Sequence, residues 1–259
     1  MTDPRKPGTF QLIHGNALNM REVASESATL VLTSPPFFPK SIEADLRAPL
    51  SKQSDFDSVR AETTRFSLKL RPAFDEILRV LKPGGHLVLE TKDLRFGAHL
   101  IPLASLHTTM ADAAGFRLAT RVLWQNTNES PRHGTLRRSV ERLKAKQVFR
   151  TLDVEDFLVF VRPGGREATG NPEEWGGEDL ERIVSPLWDL PGSRSWHPYP
   201  SPSAVIRRFV LVLSREGDLV VDPFAGSGKV LRVAAALGRN AVGYELDHDF
   251  WRRATEDEE

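Results

Sequence analysis

Two short motifs contain residue types that could bind a ligand, the first through free acceptors and an aromatic ring and the second through glycines and carboxylates. The first is TSPPFF, residues 33–38, which directly follows the apolar run ATLVL. Because proline fixes φ and lacks an N–H, Pro35 and Pro36 cannot continue a central strand. The residue before a proline is held extended, so Ser34 is expected at the carboxyl end of the strand, where open α/β sheets bind ligands. The carbonyls of Ser34 and Pro35 can accept hydrogen bonds there, and Phe37 can offer a flat face.

The second motif combines glycines with carboxylates in DLVVDPFAGSGKVLRVAAALGRNAVGYEL, residues 218–246. It predicts a strand ending at Asp222, a turn containing Gly226 and Gly228, a helix, and a second strand ending near Glu245. Glycine tolerates positive φ and lets the backbone approach a ligand closely. A carboxylate about 20 positions beyond such a turn can bond ribose hydroxyls, so the motif favours a nucleoside cofactor.

Two common nucleotide motifs do not fit this turn. A P-loop needs Ser or Thr after its Gly-Lys pair, whereas Gly228-Lys229 is followed by Val230. The dinucleotide pattern needs a third glycine where Leu231 stands. Taken alone, the turn is also compatible with an ordinary strand-to-helix connection, and TSPPFF with a strand end followed by an apolar loop.

The rest of the chain supplies elements that would position both motifs. Seven β-rich runs are candidate strands, at residues 10–14, 28–33, 86–90, 120–124, 156–161, 218–222 and 240–246. Apolar stripes of helical period lie between them, at residues 74–81, 103–110, 205–212 and 231–237. This alternation predicts an α/β fold, a single domain over residues 1–259 with a mostly parallel seven-stranded sheet and helices on both faces. No helical crossover is evident between the runs at 120–124 and 156–161, so an antiparallel edge is expected there.

Composition excludes several classes of chemistry. Lys plus Arg and Asp plus Glu each number 35, so net charge gives no hint of a polyanionic partner. The chain has no cysteine, which excludes disulfides, cysteine metal sites and thiolate nucleophiles. No metal site is expected. The first residues lack the apolar segment of a secretory signal, and no apolar run is long enough to span a bilayer. A cytoplasmic location is therefore expected.

Together, TSPPF and DPFAGSG resemble the amino-methyltransferases that act on exocyclic nitrogens of DNA bases. In that family the [S/D/N]-P-P-[Y/F] tetrapeptide is the catalytic motif and D-P-F-x-G-S-G binds S-adenosyl-L-methionine. The catalytic motif comes first here, as in the permuted β class of the family. The resemblance extends to ILRVLKPGGHLVLE at 77–90 and WHPYPSP at 196–202, so it covers most of the chain.

The resemblance implies a Rossmann-like methyltransferase fold and a role for each motif residue. The catalytic residues would be Ser34, Pro35, Pro36 and Phe37. The cofactor-binding residues would be Asn16, Thr33, His197, Pro198, Asp222, Pro223, Phe224, Gly226, Ser227, Gly228 and Glu245. Three positions depart from the family pattern: Lys229 follows the turn where Thr is common, Asn16 replaces an Asp in GNAL, and Thr29 replaces an acid that is common before the catalytic motif.

The first residue of the tetrapeptide bears on the substrate. In the family, Ser commonly accompanies methylation at cytosine N4, and Asp commonly accompanies methylation at adenine N6. Ser34 therefore favours cytosine N4. Methylation at cytosine C5 would need a cysteine nucleophile, which the chain lacks. The alternatives are adenine N6, a base in RNA, a side-chain amide, and an inactive nucleic-acid-binding relative.

A basic segment is the candidate surface for double-stranded DNA. Seven basic residues and one acidic residue lie between positions 132 and 150, along an apolar helical stripe. The predicted DNA-binding residues are Arg132, Arg137, Arg138, Lys144 and Lys146, although a basic run is also typical of a solvated helix face. The inserts at 126–150 and 163–187 are the candidate target-recognition segments. The resemblance also allows a homodimer and a cognate restriction endonuclease that acts separately.

Overall fold

An eight-stranded sheet forms the centre of the fold, which is taken from a computed structural model. The structure describes residues 6–44, 55–96, 99–126, 154–175, 180–192 and 201–256. The sheet strands are β1 (Phe10–His14), β2 (Ala28–Thr33), β3 (Leu81–Thr91), β6 (Arg117–Asn126), β7 (Val154–Val161), β8 (Leu187–Leu190), β9 (Leu219–Asp222) and β10 (Asn240–Glu245). A separate hairpin contains β4 (Leu94–Phe96) and β5 (His99–Ile101).

The strand order places the two ends of the chain in the same half of one sheet. It runs β1-β10-β9-β2-β3-β7-β6-β8. Neighbours are parallel from β1 across to β3, β7 is antiparallel to both β3 and β6, and β8 is parallel to β6. The mostly parallel α/β fold and the antiparallel region are thus confirmed. The sheet has eight strands rather than the predicted seven, and its outer edge is β8 rather than the antiparallel pair.

Seven α-helices are described in these ranges. They are α1 (Phe56–Lys69), α2 (Arg71–Val80), α3 (Leu103–Ala114), α4 (Leu180–Val184), α5 (Ser203–Leu213), α6 (Lys229–Ala236) and α7 (His248–Glu256). Local sequence sets several of their ends. A proline in the first turn begins α2, and Gly115 ends α3 with φ +111°.

Both faces of the sheet are buried beneath helices, as a mostly parallel sheet requires. Alternate residues of β2 enter different cores: Leu30 and Leu32 pack with Phe209 of α5, whereas Val31 packs with Phe74 and Ile77 of α2. This double burial explains why β2 is mostly apolar, and the polar Thr33 and Ser34 come where the strand ends at the sheet edge.

The parallel strands end together along one edge, which we call the carboxyl edge and define by Thr33, Thr91, Asp222 and Glu245. β6 also ends there, and β7, being antiparallel, begins there. The two described residues that flank the gap at 127–153, Asn126 and Val154, therefore both lie at the carboxyl edge.

Residues 163–175, the first described part of the 163–187 segment, lie at the opposite edge of the sheet. Their backbone bonds to Gly84 and Val212 there, whereas Leu187 begins β8 and pairs with Leu123 near the carboxyl end of β6. Arg239, which has no exposed surface, forms an ion pair with Glu174 at 2.6 Å and holds the segment against the start of β10.

Candidate active site

The carboxyl edge brings the two sequence motifs into contact. β2 pairs directly with β9, so Thr33 and Asp222 end neighbouring strands. The Thr33 hydroxyl donates a hydrogen bond of 2.6 Å to Asp222 Oδ1, across 189 positions of sequence. The catalytic and cofactor motifs are therefore parts of one site.

Asp222 is a buried carboxyl, only 3% exposed. Burial raises its pKa to about 7, although hydrogen bonds from the Thr33 hydroxyl and the Phe224 N–H act in the opposite direction. Water contributes little to its solvation, so the charged form is costly in the free protein. A cationic ligand placed beside Asp222 would favour the carboxylate.

The turn after β9 has the backbone geometry that glycine permits. Gly226 and Gly228 adopt φ of +51° and +70°, a region that other residues enter only with strain. The Gly226 N–H donates to Glu245 Oε2 at 2.8 Å, so the turn is attached to the end of β10. Pro223, Ser227 and both glycines are buried, and Phe224 is half-buried.

Glu245 has the position expected of a ribose-binding carboxylate. Its Oε1 accepts the Asp247 N–H at 2.8 Å while Oε2 accepts that of Gly226. Burial raises its pKa, and the two backbone N–H groups oppose that effect. Each carboxylate oxygen has a second lone pair, so both bonds can persist while ribose hydroxyls donate to the same group.

Asn16 follows β1 next to Glu245, because the Gly15 N–H bonds to the Glu245 carbonyl at 3.0 Å. The Asn16 side chain is exposed, and its oxygen accepts the N–H of Leu18 within a local turn. Its amide NH₂ is the group that remains to meet a ligand.

The tetrapeptide of residues 34–37 follows directly after β2. Ser34 is half-buried, and its hydroxyl makes no hydrogen bond within the described ranges. Pro35 is buried and Pro36 is exposed, so the loop turns outward at this pair. Phe37 is half-buried against an apolar cluster that includes Ile42 and Phe96.

An ion pair joins the catalytic loop to the cofactor side of the site. Lys40 Nζ lies 3.2 Å from Asp247 Oδ2, two residues beyond Glu245. The Lys40 side chain is 89% exposed, so the pair contributes little to stability. Its effect is to bring the loop after the tetrapeptide close to the end of β10.

A polar cluster that the sequence did not predict lies beside Asp222. Glu90, near the end of β3, is 6% exposed and accepts a hydrogen bond from the Ser201 hydroxyl. Burial raises its pKa well above the usual value, and Glu155 raises it further. Lys229, the first residue of α6, donates to the Ser201 carbonyl at 3.2 Å. The sequence feature that could have indicated this cluster is Glu90, the acid that ends the apolar run HLVLE. An acid in that position is also typical of an ordinary strand end.

Several predicted residues lie outside the described ranges. They are His197 and Pro198 of the cofactor motif, and Arg132, Arg137, Arg138, Lys144 and Lys146 of the basic segment. The described residues on either side of His197 and Pro198 are Gly192, two positions beyond the end of β8, and Ser201 beside Glu90.

Comparison with known proteins identifies the family. The model of the DNA methylase family, N6_N4_Mtase, matches residues 28–256. The chain belongs to this DNA methylase family. Its predicted kinship with the amino-methyltransferases is confirmed, and it is a DNA methyltransferase that uses S-adenosylmethionine.

Relatives of this DNA methylase match along most of its length. The type II methyltransferase M.MjaI of Methanocaldococcus jannaschii is 27% identical, covering 92% of this chain and 87% of its own. The DNA adenine methyltransferase YhdJ of Escherichia coli K12 is 24% identical, and the match covers 92% of this chain and 79% of YhdJ.

A solved structure supports both fold and cofactor. The DNA modification methylase TTHA0409 of Thermus thermophilus, complexed with S-adenosyl-L-methionine, has a TM-score of 0.70 and 27% identity. The match covers 96% of this chain and 94% of that one. The residues of the methylase fit this cofactor: a glycine turn for close approach, Glu245 for ribose, and buried carboxyls for a sulfonium cation. None of the helices in the described ranges has the length and apolar character needed to cross a membrane.

Proposed function

We propose that this DNA methyltransferase modifies the N4 amino group of cytosine. The observation that carries the proposal is Ser34, the first residue of the S-P-P-F motif, whose hydroxyl stands free beside the cofactor motif. In the family this residue is commonly Ser in cytosine-N4 enzymes. The proposal also fits the absence of cysteine, which removes C5 chemistry.

The chain's own groups would prepare the amine for attack. Bound S-adenosylmethionine supplies an electrophilic methyl group. The amine is a weak nucleophile because its lone pair is delocalised into the base. Its two N–H groups would donate to the Ser34 hydroxyl and the Pro35 carbonyl, which directs the lone pair at the methyl group. The Pro35-Pro36 backbone holds both acceptors in place before the base arrives.

Ser34 would orient the amine rather than act as a strong base. The methylated amine is cationic and loses a proton readily, so no high-pKa acceptor is required. Mutation of Ser34 should therefore reduce the rate through lost orientation of the amine and leave the cofactor site intact.

Phe37 would receive the base after it leaves the duplex. Extruding a base costs a few kcal/mol of stacking and pairing. Stacking on an aromatic ring returns about 1–3 kcal/mol per base. The apolar cluster beneath Phe37 would hold the ring in one orientation, so little entropy is lost on stacking.

Double-stranded DNA would approach the carboxyl edge. The basic residues Arg132, Arg137, Arg138, Lys144 and Lys146 would neutralise phosphates, and binding should weaken steeply with salt. The positions of Asn126 and Val154 at that edge support this assignment. A cytoplasmic location, a homodimer and a separate restriction endonuclease are further parts of the proposal.

Adenine N6 is the second candidate, since one relative, YhdJ, is named as an adenine methyltransferase. The same acceptors would serve the adenine amine. A base in RNA and an inactive binding protein remain the alternatives to be tested.

Nucleoside mass spectrometry tests the proposal. The chain is expressed in a host that lacks amino-methylated bases, and its DNA is digested and measured for N4-methylcytosine. The modification should be abolished or greatly reduced by Ser34→Ala and by Phe37→Ala, and unchanged by Ser105→Ala, an exposed serine on α3. N6-methyladenine instead would overturn the cytosine assignment. No modified base, with cofactor binding intact, would point to RNA or to a binding protein.

A further inference from the structure

The strand order indicates which residues would hold the amino-acid end of S-adenosylmethionine. The sulfonium carries three arms: the methyl group, the ribose and the amino-acid chain. In the proposed site, Glu245 at the end of β10 would receive the ribose, and Ser34 after β2 would face the methyl group. β9 runs between these two strands and leads into the glycine turn. The third arm would then lie near the turn and the start of α6, where Lys229 stands.

Lys229 is a half-buried cation without a carboxylate partner. Its ammonium donates to one neutral acceptor, the Ser201 carbonyl at 3.2 Å. Within the described chain, no Asp or Glu oxygen lies within the 4.0 Å of an ion pair. Burial lowers the pKa of the ammonium, and Arg232 adds to that effect while Glu90 opposes it. An ammonium has three N–H donors, so two remain for a ligand.

Glu90 acts on the charge of Lys229 without forming an ion pair with it. Glu90 is bonded to the Ser201 hydroxyl, and its burial beside Glu155 favours the uncharged acid. Glu90 and Lys229 thus bond to different groups of Ser201. Glu90 accepts from its hydroxyl, and Lys229 donates to its carbonyl. The positive charge beside the cofactor turn stays available to an anion.

We propose that Lys229 binds the carboxylate of the amino-acid end of S-adenosylmethionine. The inference rests on the cofactor assignment and names a cofactor-binding residue that the motif alone did not supply. Lys229 is the residue at which the turn departs from the family's pattern, in which a hydroxyl side chain is common. A charged side chain at this position would bind the carboxylate more strongly than a hydroxyl side chain would, because charge-assisted hydrogen bonds are about twice as strong as neutral ones.

A DNA phosphate is a less suitable partner for this cation. The Lys229 side chain is half-buried beside the cofactor turn and bonded to Ser201, whereas phosphates meet exposed cations on a surface. If Lys229 nevertheless contacts DNA, its removal should flatten the salt dependence of DNA binding by about one phosphate contact.

Calorimetry with two ligands separates these roles. Binding of S-adenosylmethionine and of its decarboxylated analogue is measured for the unmodified chain and for Lys229→Met. The variant should lose roughly 10- to 100-fold in affinity for S-adenosylmethionine. Its affinity for the decarboxylated analogue should change by less than about twofold, because that ligand has no carboxylate to lose. Lys229→Arg should restore most of the loss.

The control is Lys82→Met, at the opposite edge of the sheet, where Lys82 lies 3.9 Å from Asp218. This variant should bind both ligands as the unmodified chain does. Thermal unfolding of each variant shows that it is folded before binding is compared, and Lys229→Gln provides a second neutral variant.

Equal losses for both ligands in Lys229→Met would overturn the inference, since Lys229 would then only shape the pocket. An unchanged affinity for S-adenosylmethionine together with a flatter salt dependence would assign Lys229 to DNA instead. Failure of the unmodified chain to bind S-adenosylmethionine would overturn both this inference and the proposed function.

Discussion

Asp222→Asn should stabilise the free protein while weakening its cofactor site. Burial raises the pKa of Asp222 from 3.8 to about 7, so the folded state holds this proton over a range in which the unfolded chain has lost it. A raised carboxyl pKa therefore lowers stability as pH rises between those values. The difference of roughly three pKa units corresponds to about 4 kcal/mol above pH 7. Because Asp222 is 3% exposed, solvent screening removes little of this cost.

Urea unfolding of both proteins at several pH values measures the effect. The variant should be more stable by up to about 4 kcal/mol at pH 8, and the difference should shrink toward zero near pH 4. An Asn oxygen can still accept the Thr33 hydroxyl and the Phe224 N–H, so the local geometry survives. Asp57→Asn, at an aspartate with 75% of its side chain exposed, is the matched control.

A stability difference that does not vary with pH would refute this reasoning, because it would show that packing rather than ionisation distinguishes the two side chains. A less stable variant at pH 8 would refute it as well. Affinity for S-adenosylmethionine should fall in the variant, since the sulfonium loses a carboxylate neighbour. Stability and function are thus opposed at this residue.

Other perturbations test the turn, the buried ion pair and a buried histidine. Gly228→Ala should lower the free energy of unfolding by about 1–2 kcal/mol, because φ is +70° there, and calorimetry should show weaker cofactor binding. Glu174→Gln removes the carboxylate that pairs with the buried Arg239, so the free energy of unfolding in urea should fall by about 3 kcal/mol. A fall of less than about 1 kcal/mol would contradict this prediction. Burial lowers the pKa of His107 to about 4, so stability should fall by roughly 3 kcal/mol as pH drops from 6.5 to 4. His107→Gln should remove that pH dependence.

Two of the short parallel strands can be predicted from sequence with their bounds. β1 and β2 have the predicted bounds, although only β2 is buried at every position. The predicted strand at 86–90 is too short: β3 begins at Leu81, which the helical stripe at 74–81 places in the preceding helix. Since Leu81 continues the helical stripe of α2 and also pairs with Ala28, its periodicity fits either element.

Elements with few buried residues cannot be predicted from periodicity. β8 has four residues and follows a segment rich in glycine, proline and charge, whose composition predicts an insert rather than a strand. α7 buries only Ala254, and most of its nine residues are polar or charged. The polar cluster of Glu90, Ser201 and Lys229 depends on tertiary proximity, since its members come from three separated parts of the chain.

The topology explains why the order of motifs along the chain does not affect the site. β2 lies between β9 and β3, so the catalytic strand from the beginning of the chain meets the cofactor strand from its end. β1 likewise pairs with β10 in parallel register from Phe10↔Ala241 to His14↔Glu245. Because these pairings are long-range, they form only after a large loss of chain entropy, and neither half of the chain contains the site alone. The bond from Thr33 to Asp222 therefore joins strands from distant parts of the chain and brings the two motifs of the candidate site together.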